Sequence, residues 1–395
     1  MKSSDPLSPP ISPRKALMIC GNYWTSPIQV GSHHLARALV AAGWQVAFIS
    51  DPISPLHAIA GVDFPQRLAL YRQGGSWDLD GRLWAYVPGA LLTPQNRPLL
   101  RSHWLSQHWQ RLSAPSAARA ASNHGFAAVD LVYFDSFSQP FWLEAIPHRR
   151  SVFRIVDQLS AYPKATPAAE LNIAALAQQV DLVAYTAYSL EPYVSGLRPR
   201  RMFHLPNGVA YQHFAGPLPP IPTELSAIPQ PIAMYIGSLE SWFDYDLVQQ
   251  AAEQLPGVSF VLIGPEKQAV ARLKPRPNLH ILGRRPHDQA PAYLRHAQIG
   301  LIPFNYQEQP LLVNHINPIK LYEYLACGLP VVSMEWEELR RLGSPAILCR
   351  SRQDFINAIP AILEKPPAPE AAKRFAESAG WGQRASALLA ELGLD

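Results

Sequence analysis

The stretch NPIKLYEYLACGLPVVS, Asn317 to Ser333, carries the residues best suited to chemistry. It reads as a helix start, a short helix, a turn built on glycine and proline, and a buried strand. Pro318 suits the first helical position with Asn317 before it as a cap, which leaves unpaired backbone N–H groups and the positive end of the helix dipole facing outward. Such a helix start binds phosphate. Lys320 adds a mobile positive charge, and Glu323, three residues on and on the same face, can accept hydrogen bonds from neighbouring hydroxyls. A diphosphate joined to a ribose satisfies both. The competing reading is a solvated Lys-x-x-Glu pair on a helix that feeds a parallel strand.

The elements that must position these residues read as two α/β series. KALMICG (15 to 21) is an apolar run ending in glycine. HHLARALVAAGWQVAFIS follows as a helix, a stop at Gly43 and a buried strand, with Leu35, Leu39 and Val40 at helical spacing. DLVYFD (130 to 135), SVFRIVD (151 to 157) and DLVAYT (181 to 186) are strands with a polar residue at the carboxyl end, where open parallel sheets bind ligands. After LPNGVAYQHF comes a proline-rich linker, GPLPPIPTELSAIPQP. IAMYIGSL, VSFVLIGP, LHILGR, IGLIPF and PVVSM then read as strands, with helices such as DYDLVQQAAEQL and APAYLRHA between them and helix-forming stretches near 353 to 364 and 369 to 393.

A chain of 395 residues holds two domains of ordinary size. Its 48% hydrophobic and 16% charged residues describe a soluble globular protein, and 40 prolines fit a loop-rich α/β chain rather than a helical bundle. Cys20, Cys327 and Cys349 are too few and too far apart for a disulfide framework or a zinc site, so a cytoplasmic location is expected. The polar, proline-rich start, residues 1–14, has no apolar run to serve as a signal peptide and is expected to be disordered. No run approaches the ~18 apolar residues of a spanning helix, so any membrane contact is peripheral. Residues 1 to 205 hold 18 Lys/Arg against 12 Asp/Glu, and 206 to 395 hold 16 against 18, giving +6 and −2. The first half therefore suits an anionic surface or acceptor. Nothing indicates nucleic acid, and GNYWTSPIQVG lacks the G-x-G-x-x-G of a dinucleotide site.

In order and content, PNGV, IGSL, LIGP, LHILGRRPHDQAPAYLRHAQIGLIPF and KLYEYLACGLPVV resemble the GT-B glycosyltransferases over nearly the whole chain. FRIVDQLS, IGSLESWFDYDLVQQAAEQLPGVSFVLIG and the Lys320 segment are similar to the membrane-associated glucuronosyltransferase of xanthan assembly. The resemblance implies an α/β GT-B fold, two Rossmann-like domains facing across a donor-binding cleft. The acceptor domain is expected over 15–205, the linker over 206–230, the nucleotide-sugar domain over 231–368, and a helical segment crossing back over 369–395. It also implies a nucleotide-diphosphate sugar as donor, UDP favoured, no cofactor, and a lipid-linked or saccharide acceptor. The retaining branch carries a second acidic residue eight positions before the equivalent of Glu323. His315 stands there in this chain, and the reading is inverting.

An inverting transfer needs a base for the acceptor hydroxyl and positive groups for the departing diphosphate. Asp157, at the end of SVFRIV, is the base by its strand-end place and by the resemblance, against a reading as cap of the following helix DQLSAY. Lys320, the helix start at Pro318, and the backbone N–H groups of Gly237 and Ser238 are the leaving-group candidates. Gly283, Arg284 and Arg285, leaving the strand LHIL, lie in the neighbourhood that the resemblance gives to the base. His33 and His34 begin the first helix and are candidates to face the cleft. The pair Asp78-Leu-Asp80 has the form of a metal motif but lies in a Trp- and Gly-rich loop, read as a surface turn, and no metal is expected. RPLLRSHWLSQHWQRL resembles an amphipathic helix with Trp104, Leu105, Trp109, Arg101 and Arg111, suited to an anionic membrane at the inner face of the cytoplasmic membrane. Two other readings stay open: a nucleotide-sugar 2-epimerase of similar fold, and a non-catalytic nucleotide-sugar-binding protein.

Overall fold

The computed structural model describes residues 13–60, 63–97, 99–159 and 166–395. Most of the N-terminal tail expected to be disordered, and most of the segment that would form a helix after Asp157, lie outside the described residues. Parallel strands of continuous apolar sequence need helices on both faces, and the fold follows that rule. Fourteen strands are described. They are β1 (Lys15–Cys20), β2 (Gln45–Ser50), β3 (Ser76–Asp78), β4 (Leu83–Tyr86), β5 (Val129–Phe134), β6 (His148–Ile155), β7 (Leu182–Tyr185) and β8 (Met202–His204), then β9 (Ile232–Ile236), β10 (Ser259–Ile263), β11 (Leu279–Ile281), β12 (Ile299–Ile302), β13 (Val331–Met334) and β14 (Ile347–Cys349). They form an eight-stranded sheet of order β3-β4-β2-β1-β5-β6-β7-β8 and a six-stranded sheet of order β11-β10-β9-β12-β13-β14. Among the registers described only β3 pairs antiparallel to its neighbour.

The chain divides into two compact units, one of residues through Trp24 with Ala36–Val152, the other of Thr25–Leu35 with Phe153–Asp395. In the first, β1 is fully buried beyond Lys15. The helix after it runs from Gly31 to Ala41 and is stopped at Gly43, whose φ of +90° favours glycine. Asp78 and Asp80 sit at a turn in which Leu79 and Asp80 take positive φ, and Asp78 accepts the indole N–H of Trp24 at 2.7 Å, as expected of a surface turn.

The expected amphipathic helix is only one and a half turns of α-helix, His103–His108, followed by a 3₁₀ turn, Trp109–Leu112. The two tryptophans do not share a face. Trp109 is fully buried, donates its indole N–H to the Ser138 carbonyl at 2.9 Å and meets Phe141 edge-on, whereas Trp104 is 59% exposed and stacks on His108. Removing a large buried aromatic costs about 3 to 5 kcal/mol. Trp109→Ser is therefore expected to lower the melting temperature strongly and Trp104→Ser hardly at all; equal melting temperatures would contradict this packing.

In the second unit a single-turn helix, Tyr211–Ala215, precedes the proline-rich linker, and another, Thr223–Ser226, lies within it. The last helical stretch is two helices, Pro369–Ser378 and Trp381–Leu392, rather than one. The break has a tertiary cause: the Val209 N–H donates to the Ala379 carbonyl and the Trp381 N–H to the Val209 carbonyl, so the backbone at Gly380 is held extended as an isolated bridge. Among the described residues no helix is long and apolar enough to cross a membrane.

Candidate functional site

A cavity of about 440 Å³ opens within the second unit, at the carboxyl ends of β6, β9, β10 and β12. Asp157, Gly237, Ser238, Arg284, Pro318, Lys320 and Glu323 all line it. Residues from four separate expectations thus meet in one place. Gly283 does not line it. Its carbonyl accepts the Gly264 N–H at 3.1 Å, which ties the turn after β11 to the turn after β10.

The helix of the NPIKLYEYLA segment runs from Ile319 to Ala326 and ends at Gly328, whose φ is +77°. Pro318 occupies the cap position and not the first helical turn, and Asn317 does not cap. The Asn317 side chain is used elsewhere. Its Oδ1 accepts the Asn207 backbone N–H and the Tyr322 hydroxyl, each at 3.1 Å, and its amide donates to buried Glu338 at 2.7 Å. Asn207 in turn donates its side-chain amide to the Asn317 carbonyl at 2.6 Å. The asparagine of PNGV thereby anchors the segment that leads into the helix.

Lys320 lies with Nζ 5.2 Å from the centre of the Tyr235 ring and 4.9 Å from that of Phe304. Burial pushes its ammonium down to about 8, against the opposing pull of Glu323. Among the described residues no carboxylate pairs with it within 4.0 Å, so the solvated Lys-x-x-Glu reading does not hold. Glu323, 8% exposed, is paired instead with His287, Nε2 to Oε1, at 2.6 Å.

The glycines at the strand ends make room rather than donate. Gly237 has φ +151°, and a Cβ there would stand 2.8 Å from Lys320 Cε. Its N–H is already given to the Ile263 carbonyl at 2.9 Å, which removes it from the leaving-group candidates as a donor. A Cβ on Gly264 would collide with the Gly237 carbonyl, so the LIGP turn must be bare for the IGSL turn to sit where it does. The Ser238 carbonyl is held by the Tyr235 hydroxyl at 2.6 Å.

Arg284 is exposed on the cavity wall, but Arg285 is not available to stack. Its Nε and Nη2 donate to Glu224 Oε1 at 3.1 and 3.0 Å, and Nε also meets the Tyr293 hydroxyl at 2.9 Å. The Tyr293 hydroxyl, above all, draws Glu224 down to about 2. Among the first-helix histidines, buried His33 accepts the Val30 N–H at Nδ1, 3.2 Å away, and is structural. His34 stacks flat on Trp381 and its ring lies 5.4 Å from that of His287. His315 meets the Ser189 hydroxyl at 3.1 Å.

Three residues of the site escaped the sequence reading. Arg154 is 1% exposed, donates Nη2 to Asn207 Oδ1 at 2.7 Å, and leaves Nε without a hydrogen-bond partner. It lines the cavity with no carboxylate in ion-pair range among the described residues, and Gly31 gives it space, since a Cβ there would lie 2.6 Å from Nη1. Its signal was a single cation inside the apolar run SVFRIV. Gly264 and His287 gave none beyond their places in LIGP and RRPHDQ.

The parallel-sheet cavity is thus lined by bare glycine turns and, from one helix, by a half-buried ammonium and a buried carboxylate. Residues 18–186 match the family model for the N-terminal domain of the glucuronosyltransferase GumK, and residues 230–365 match that of the glycosyl transferases group 1. The fold is that of the GT-B glycosyltransferases, and both matched models are of glycosyltransferases. Over 149 residues it is 28% identical to TuaH of Bacillus subtilis (strain 168), a protein named as a teichuronic acid biosynthesis glycosyltransferase. That match spans 36% of this chain and 36% of the relative, so about a third of the relative's length is covered. The fold is shared with sucrose-phosphate synthase from Thermosynechococcus elongatus, at 16% identity and a TM-score of 0.63, over 96% of this chain and 97% of that one. It is shared also with Anabaena HepE in complex with UDP and glucose, at 14% identity and a TM-score of 0.62, over 96% and 99%.

Proposed function

We propose that this chain moves a sugar from a nucleoside diphosphate donor, UDP favoured, to a lipid-linked glycan or other saccharide acceptor in polysaccharide or glycoconjugate synthesis, with inversion and without a metal. The observation that carries the reading is Lys320, an ammonium held over two rings beside a bare glycine turn and, among the described residues, in no ion pair with a carboxylate. A partly desolvated cation of that kind calls for an anion, and the diphosphate supplies one. Arg154 adds a second cation, the first turn at Pro318 adds backbone N–H groups, and Glu323 takes the ribose hydroxyls. Asp157 accepts the proton of the acceptor hydroxyl as its oxygen attacks the anomeric carbon, and the C1–O bond breaks with its electron pair passing to the diphosphate. Backbone groups at Arg284, on the cavity wall, meet the base.

UDP is favoured because UDP is the ligand named with Anabaena HepE. The polymer reading is supported by the teichuronic acid in the name of TuaH. Peripheral membrane contact is supported by Leu91, Leu92, Leu99 and Trp104, large apolar side chains that stand exposed and lie close in sequence to Arg101 in the first unit. A thermal-shift panel of nucleoside diphosphates, followed by donor turnover, tests the proposal. A bound ligand at 100 times its Kd adds about 2.7 kcal/mol of stability. UDP is expected to give the largest shift, and a panel in which no nucleoside diphosphate raises the melting temperature would overturn the reading.

A further inference from the structure

We infer that His287 is a positioning residue of the donor site, holding Glu323 by one oxygen so that the other is presented to the vicinal hydroxyls of the donor's ribose. The inference rests on the reading of Glu323 as the hydroxyl acceptor and adds what sets that carboxylate in place. A glutamate on a helix has three side-chain torsions, and fixing such a side chain costs rotamer freedom. In Lys-x-x-Glu geometry the lysine could have done the fixing, yet Lys320 makes no ion pair with Glu323 among the described residues. The 2.6 Å contact from His287 Nε2 to Oε1 does it instead. A carboxylate accepts, so Nε2 is the protonated nitrogen in this pair. Oε2 is the oxygen left for a ligand, and both side chains line the cavity.

The imidazole is itself held. Pro286 precedes it, and His287 begins a single 3₁₀ turn, His287–Gln289. Its ring is met by His34 at 5.4 Å, by Phe214 at 5.6 Å edge-on, and by His213 at 6.5 Å. His34 in turn lies flat on Trp381, 5.3 Å away at 6°. Rings from three separate segments, that of Trp381 acting through His34, thus immobilise the donor that orients Glu323. Preorganising an acceptor in this way favours ligands that carry the hydroxyl pair, since the ordering has already been done before binding.

The test is a comparison of UDP with 2′-deoxy-UDP by titration calorimetry in the wild type, His287→Phe, His287→Gln and Glu323→Gln. His287→Phe keeps a ring among the neighbouring rings and removes the N–H. His287→Gln keeps an N–H donor without the ring. The wild type is expected to prefer UDP by about tenfold, the worth of one hydroxyl bonded to a charged acceptor. His287→Phe is expected to bring that preference to within about twofold by weakening UDP alone, and His287→Gln to restore most of it. Loss of both ligands in equal measure, or a preference unchanged in His287→Phe, would overturn the inference. The two readings fail separately. A wild type without preference, or a preference that survives Glu323→Gln, removes Glu323 as the hydroxyl acceptor and the inference with it. A preference lost in Glu323→Gln but intact in His287→Phe removes only the role of His287.

Discussion

Asp157→Asn is expected to lower turnover by roughly 100- to 10,000-fold, the usual worth of a positioned general base, while UDP affinity stays within about twofold of the parent. The expectation rests on position. Asp157 follows Ile155, the last residue of β6, by two positions and lines the same cavity as Lys320 and Glu323. The amide has nearly the same shape as the carboxylate and cannot take the acceptor proton. Steady-state kinetics beside calorimetry checks the split. Turnover near the parental level would remove Asp157 as base, and retained binding with no turnover in the parent itself would leave the non-catalytic reading of the chain.

Lys320→Ala is expected to weaken UDP by about 2 to 3 kcal/mol, roughly 30- to 150-fold, and uridine hardly at all, because the lost interaction is with phosphate charge. Equal loss for both ligands would refute the assignment. The pH dependence follows from the lowered value of about 8 against an ordinary 10.5. Below about 8 the ammonium is charged in both the folded and unfolded chain, and its desolvation is a standing cost to the free fold. Between about 8 and 10.5 the unfolded chain binds more protons than the folded one, so stability of the ligand-free protein rises with pH in that window. UDP affinity moves the opposite way. It should hold steady below about 8 and then weaken, by at most tenfold per pH unit, as the free protein loses the charge the phosphate needs. Lys320→Arg, which stays charged, should show no break near 8; a break that persists there would assign the effect to another group.

Much of the architecture was legible because it rests on local rules. Apolar runs bounded by glycine and proline marked β1, β2, β9, β10, β12 and β13 near their true ends, and Gly43 and Gly328 stopped helices where a positive φ is required. The spacing of Lys320 and Glu323 placed them on one face of one helix, a property of the i to i+3 geometry that no tertiary contact can alter. Polar residues at strand ends pointed to the cavity because parallel strands gather their carboxyl ends together.

What the tertiary structure alone decided was which partner each of those side chains would meet. Glu323 met His287, 36 residues away in sequence and brought close only by the turn after β11, and left Lys320 on the rings of Tyr235 and Phe304. Asn317 has the composition of a cap, but Asn207, Tyr322 and Glu338 took its hydrogen bonds first. Gly237 has its N–H drawn into the β10 side of the sheet, and Trp109 turned inward while Trp104, five residues earlier, stayed in solvent. Periodicity and propensity act between residues a few positions apart, so they fix the backbone element and its faces. Hydrogen-bond partners and burial are set by distances across the fold, and those exist only once the crossovers between strands have brought remote segments together.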